Sequence, residues 1–308
     1  MSDEIDEMEP VDQEEHLVRE NKKEPEPSLK HKLIIYSIPI VILVLIIIGI
    51  ILVFTIPKAS KNDDNKDLPK KGLIKLIYRI DTNDLNTDPI SHEYKKQNDF
   101  ELYVGGLKFK NYMNFQFPSE GTYNVEIFLY ENKIHMDHMF KDVSTLTNIQ
   151  MISNGEIIYI ESMESTFENC VSLTSISISG FNTYKVKSMS KLFKSTSLSS
   201  IDLRIFNTSN VIDMSFMFAN SYSLTHVNLE KMNTKQVQDM SYFFYSCKSL
   251  TSINLNIDGS NLKNMSKMFS DCTNLKDIEV NKFKADSIID MSYMFENCEK
   301  IKELKFVS

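Results

Sequence analysis

Hydrophobic and polar positions in the second half of the chain repeat with a nearly fixed step. A methionine, three residues and a phenylalanine recur at Met136–Phe140, Met163–Phe167, Met189–Phe193, Met214–Phe218, Met240–Phe244, Met265–Phe269 and Met291–Phe295, with steps of 27, 26, 25, 26, 25 and 26 residues. A period in the twenties sustained over seven copies marks a solenoid, in which no unit buries its own apolar face and each stacks on the next. After each phenylalanine comes an apolar triplet at i, i+3, i+5, such as Leu224/Val227/Leu229 and Leu250/Ile253/Leu255. That spacing predicts a turn into a short strand whose alternate residues point inward. Val211, Met214 and Phe218, at i, i+3, i+7, predict one face of a short helix. Ser209, Thr234, Ser260 and Asp286 lie where such helices would take their N-caps. The predicted fold over 134–308 is an α/β solenoid, a leucine-rich-repeat-like stack of seven strand–loop–helix units.

The phrases Leu-Thr-His-Val-Asn-Leu (224–229) and Asn-Thr-Ser-Asn-Val-Ile-Asp-Met-Ser-Phe-Met-Phe (207–218) resemble the leucine-rich surface repeats of BspA-like proteins. The resemblance covers roughly 135–308, just over half of the chain. It implies a cell-surface protein linked to adhesion. The chain departs from the bacterial members in having an apolar stretch near its N-terminus, and neither a lipidated cysteine nor a wall-anchoring tail.

The first half reads differently. Residues 1–29 hold 11 acidic and 3 basic side chains, so the formal charge of −8 of the whole chain is located there and the remainder sums to zero. With no apolar periodicity and prolines at 10, 25 and 27, residues 1–32 predict a disordered acidic tail. Leu33 to Ile56 is 24 residues without a charge. At about 1.5 Å per residue it reaches about 36 Å, enough for a hydrocarbon core of about 30 Å. The expectation is a single-pass, uncleaved signal-anchor helix in the plasma membrane. Lys30 and Lys32 on one side nearly balance Lys58 and Lys61 on the other. The long C-terminal portion then favours a cytoplasmic N-terminus and extracellular repeats. Residues 57–72 read as a hydrated stalk, and 73–133, with three stretches rich in Ile, Tyr, Phe and Leu, as a small β module capping the solenoid.

Candidate chemistry narrows the function further. Gly105-Gly106 stands alone, with no phosphate loop around it, no nucleophile elbow occurs, and His135/His138 lack a third metal ligand. An enzyme, a cofactor, a metal and a nucleic-acid partner are therefore not expected. Cys170, Cys247, Cys272 and Cys298 each fall three residues after a repeat phenylalanine, where Val143, Thr196 and Ser221 stand in other repeats. That slot suits a small buried side chain. A disulfide is geometrically open only between neighbouring rungs, within the Cys247/Cys272/Cys298 ladder. Two outward surfaces are candidates for binding a protein or glycan. One is a hydroxyl-rich strand face carrying Ser175, Ser200, His226 and Ser252. The other is a row of Phe216, Tyr242 and Tyr293, alternating with Lys191 and Lys267. Asn207 and Asn264 head the two Asn-x-Ser/Thr sites. The expected function is display of a non-catalytic surface for adhesion or recognition. The alternative is a structural surface protein that assembles through solenoid packing, against which the charged final strand, Lys300 to Phe306, argues by blunting its edge.

Overall fold

The computed structural model describes residues 70–95, 100–109, 113–281, 283 and 287–307, all within one compact unit, Ile56–Ser308. Gly72–Ile80 (β1), Phe100–Val104 (β2), Leu107–Phe109 (β3) and Gly121–Leu129 (β4) form an antiparallel array in the order β3-β2-β4-β1. Alternation in β1 buries Ile74, Leu76 and Tyr78 while Lys75 and Arg79 face out, as a half-buried strand requires. The free side of β1 pairs antiparallel with Leu146–Ser153 (β6), and β6 pairs parallel with Ser175–Ser179 (β8). One six-stranded sheet therefore continues from the first segment into the repeats. Lys133–His135 (β5), Ile158–Ser162 (β7) and Phe181–Asn182 (β9) make a second, parallel ladder. Further along, Ser200–Asp202 (β10) pairs with His226–Asn228 (β11), Ser252–Asn256 (β12) with Asp277–Asn281 (β13), and β13 in turn with Glu303–Val307 (β14), all parallel.

The methionine–phenylalanine segments are not helices, and the α/β strand–loop–helix prediction is corrected to a β-solenoid. The only helical stretch among the described residues is the three-residue 3₁₀ turn Leu203–Ile205. The N–H groups of Met214, Phe216, Phe218 and Asn220 donate to Asp239, Ser241, Phe243 and Tyr245 of the next rung at 2.8–2.9 Å. Those of Met217, Ala219 and Ser221 turn back to the carbonyl three residues before. An α-helix would direct every donor within itself, four residues back. Left-handed backbone at Phe216 (φ 57°) and Asn220 (φ 60°) breaks any helix at both points. The same pair of positive φ values recurs in every rung, from His138/Asp142 to Tyr293/Asn297. The expected N-caps are differently employed. Thr234 is buried and bonds the carbonyl of Asp258, Ser209 and Ser260 bond the side chains of Asn207 and Asp258, and Asp286 lies outside the described residues.

Inside the coil the repeat phenylalanines form a continuous spine. Phe140, Phe167, Phe193, Phe218, Phe244, Phe269 and Phe295 stack ring on ring with centroids 5.6–5.7 Å apart and planes within 18°. The methionine column packs beside it, from Met136 to Met265, each no more than 1% exposed. Buried threonines bridge rungs in register. Thr208 Oγ1 donates to the carbonyl of Asn233 (3.0 Å) and accepts its N–H (2.8 Å), and Thr183 does the same with Asn207.

The first rung is closed by the segment between β1 and β2. Ser91 N–H donates to the Met139 carbonyl at 2.9 Å. Within the stack, the equivalent carbonyl of the next rung, Phe243, takes the N–H of Phe218. Ser91 thus stands where a preceding rung would stand, and Met136, Met139 and Phe140 are fully buried beneath it. Tyr78, whose hydroxyl donates to Pro89 (2.6 Å), and Asp88, which accepts from Phe115 N–H (2.6 Å), fix this loop.

The membrane expectation is likewise corrected. Among the described residues no helix is long and apolar enough to cross a membrane. The stretch 33–56 on which the signal-anchor reading rests lies outside the described residues, as do the acidic tail and most of the stalk. The plasma-membrane placement and the single-pass topology therefore find no structural counterpart.

Candidate functional site: the outward columns of the solenoid

Because successive rungs stack in register, each outward position along the coil becomes a column. On the strand side Ser200 lies opposite His226, and Ser252 opposite Asp277 and then Glu303. Two residues on, Asp202 lies opposite Asn228, and Asn254 opposite Glu279 and Lys305. Ser175, Ser200, His226 and Ser252 are all exposed on this face. Only His226 and Ser252 enter a concavity, a groove of about 280 Å³ that runs from β11 across β12 and β13 to β14. Its other polar lining is Asn254, Asp277, Glu279, Glu303 and Lys305, with Val227, Ile253 and Ile278 beneath. His226 Nδ1 is 2.9 Å from Thr225 Oγ1 and Asn254 accepts from Asn281 at 2.8 Å, which restrains both side chains. Lys305 pairs with Glu303 at 3.6 Å. Ser175 and Ser200 stand apart on earlier rungs.

Asn254, Asp277, Glu279, Glu303 and Lys305 were not among the expected binding residues, which were drawn from the start of each strand up to Ser252. Alternation from Ser252 reaches Asn254, and carrying Ser252 and Asn254 one and two repeats on reaches Asp277, Glu279, Glu303 and Lys305.

The turn side carries the second candidate row. Phe216 and Tyr242 stack at 4.3 Å with planes 9° apart, both half-buried. Lys267 Nζ lies 5.9 Å from the Tyr242 ring and 5.2 Å from the Tyr293 ring, and 3.7 Å from Glu296. Tyr245 meets Tyr242 edge-on at 5.4 Å, and its hydrogen bond to Asp271, then its burial, raise its phenol pKa. The three aromatics sit in one column, on left-handed turn residues and not on helices. Phe216 and Tyr242 each give one ring face to the other, Lys267 stands between Tyr242 and Tyr293, and Tyr293 is 64% exposed.

The cysteines are free thiols. Each donates to a phenylalanine carbonyl one rung back: Cys170 to Phe140, Cys247 to Phe218, Cys272 to Phe244 and Cys298 to Phe269, at 2.9–3.1 Å. Ser221 makes the equivalent bond to Phe193 at 2.8 Å, so most fillings of the slot share a donor as well as small size. Burial pushes the Cys170 and Cys247 thiols well up and that of Cys272 up to about 12, with Cys298, half-buried, shifted the same way. Scarce thiolate makes these groups poor nucleophiles. Treatment of the native protein with a thiol reagent at pH 8 is expected to label Cys298 first and leave the other three unmodified until denaturant is added. Rapid labelling of Cys170 would mean that the slot is open.

Asn207 is exposed, its side-chain oxygen accepting from the N–H and hydroxyl of Ser209. Asn264 is half-buried in a column with Asp239 and Asp290, its amide donating to Asp239 at 3.2 Å. No group of three or more His, Cys, Asp or Glu side chains that could hold a metal occurs among the described residues.

Fold and columns together define a β-solenoid repeat protein with turns of about 26 residues. The family described as "Mycoplasma protein of unknown function, DUF285" matches residues 134–252 and 224–305, more than half of the chain, and the chain belongs to that family. Neither the curated proteins nor the solved structures give a match. The family supports the repeat architecture, while the helix-bearing form of the repeat does not hold.

Proposed function

We propose that this chain is a non-catalytic recognition protein that uses its solenoid as a rigid scaffold and holds a partner on the strand face of the later rungs. The observation that carries the reading is the groove over β11–β14. It gathers a histidine, a serine, an asparagine, three carboxylates and a lysine from four successive rungs onto one concave surface. Mixed donors and acceptors over an apolar floor suit a polar ligand that must be oriented, such as a glycan or a protein loop. The side chains stand on strands, so their spacing is set by the backbone ladder and little ordering is required on binding.

The test is a screen of glycan and protein arrays with the full chain, followed by His226→Ala and Ser252→Arg. Each substitution is exposed and should leave the melting curve unchanged. Ser252→Arg fills the groove and is expected to weaken any specific hit at least about tenfold, roughly 1.4 kcal/mol. Hits that bind both variants as well as the parent would place the partner elsewhere.

A further inference from the structure

Far from the groove, the first rungs bring together three polar side chains that recognition on the strand face does not use. β5 and β7 run parallel with Lys133 facing Tyr159 and Ile134 facing Ile160, and the register then shifts so that His135 faces Ser162. Glu161 is the extra residue of this bulge. Strict alternation after the buried Ile158 and Ile160 would turn Ser162 inward. The bulge leaves Glu161 and Ser162 both partly exposed, a re-aiming that bulges commonly produce. His135 lies between them, its Nδ1 3.1 Å from Ser162 Oγ and its Nε2 2.9 Å from Glu161 Oε2. Backbone bonds pin both strands at this point. Met136 N–H donates to the Ser162 carbonyl at 3.0 Å, and the Tyr94 hydroxyl donates to the His135 carbonyl at 3.2 Å.

Glu161 fixes the role of each group. Lys185 Nζ donates to Glu161 Oε1 at 2.8 Å, and this bond lowers the carboxyl pKa. An ionised carboxylate can only accept, so neutral His135 carries its proton on Nε2 and leaves Nδ1 to accept from the Ser162 hydroxyl. A hydroxyl bonded to a base that a third group orients is the arrangement that activates a nucleophile. The other described histidines do not combine the two contacts. His226 meets the Thr225 hydroxyl, whereas His92 and His138 meet the carboxylates of Asp88 and Glu93.

We propose that Ser162 is a covalent modification site, an activated hydroxyl that takes an acyl group from an aryl ester or thioester. Ser162 Oγ bonds to the acyl carbon while its proton passes to His135 Nδ1. The bond from that carbon to the donor's oxygen or sulfur breaks, and the leaving group departs with the electron pair. The imidazolium, stabilised meanwhile by Glu161, returns its proton to the leaving group or to water. The acyl-serine is the product, so the reaction is stoichiometric and separate from binding in the groove. The three side chains activate the nucleophile, and the donor supplies the good leaving group.

The experiment is incubation of the full chain with p-nitrophenyl acetate at pH 8, followed by peptide mass spectrometry over time. Acetyl on Ser162 is expected to form about 100-fold faster than on the exposed Ser175, the scale of a positioned general base. His135→Gln should remove that advantage. Glu161→Gln, a smaller change that takes away the charge facing the imidazolium, should remove part of it. Melting curves of both variants check that the rungs are intact. Acetylation of Ser162 no faster than of Ser175 would overturn the proposal. So would a rate at Ser162 that neither variant lowers.

Discussion

Phe218→Ala is expected to destabilise the repeats by about 3–5 kcal/mol, the range for removing a large buried aromatic ring. Phe218 is fully buried in mid-spine, with Phe193 and Phe244 each 5.6 Å away and Phe243 edge-on at 5.5 Å. Its removal takes a plate out of a stack whose neighbours are held at fixed spacing by the backbone ladders on both sides. Those ladders prevent the rungs from collapsing into the void, so the loss belongs at the upper end of the range. Urea melting reads it directly. A variant that unfolds at the parent's midpoint would show that the ring is not in the core.

Gly180→Ala is expected to cost about 2–4 kcal/mol, from a left-handed backbone penalty of roughly 1–2 and an overpacking term of similar size. Gly180 turns the corner between β8 and β9 with φ 76°. A Cβ there would sit 1.8 Å from Ser153 Oγ and 2.6 Å from Ser153 Cβ. Its carbonyl also receives the N–H of Ile158, so the corner cannot shift without releasing the start of β7. Adding Ser153→Gly removes the collision but not the backbone term. The double variant should therefore recover only part of the loss. Full recovery, or no loss with Gly180→Ala alone, would mean that the corner is not left-handed.

The repeat length, the seven copies and the inward methionine and phenylalanine columns were legible in the sequence because each reflects burial. The backbone that presents them was not. Met214, Met217 and Phe218 are all inward, and i, i+3, i+4 is the spacing of an amphipathic helix. The chain of turns meets the same spacing by another route, since its left-handed residues recur four apart and its short bonds reach back three. The distinguishing signal lay two residues beyond five of the seven phenylalanines, Ser195 and Ser246 holding the place in the other two. Asp142, Asn169, Asn220, Asp271 and Asn297 occupy that place, and Asn and Asp are the side-chain-bearing residues that best tolerate positive φ. Phe216, Tyr242 and Lys267 at the other left-handed place carry no such signal. Tertiary context decides there: Phe216 and Tyr242 stack on each other, and their N–H groups bond across the rungs. The closing role of Ser91 was also hidden, because it rests on a single backbone bond to a residue 48 positions away. The strand-face groove was half visible, through His226 and Ser252.

Repeats stacked as a β-solenoid are distinguished by the distance between equivalent positions of neighbouring rungs. Adjacent strands lie about 4.7–4.9 Å apart, packed helices about 8–10 Å, and a disulfide needs Cα atoms about 4.4–6.8 Å apart. Phe216 and Tyr242 face each other one rung apart with rings 4.3 Å between centroids. The double variant Phe216→Cys/Tyr242→Cys, mildly oxidised in the full chain, is expected to form that disulfide within one molecule, visible as a cross-linked peptide pair by mass spectrometry. Two free thiols at 216 and 242 in a folded protein would contradict the stacked-turn architecture and favour repeats held at helical spacing.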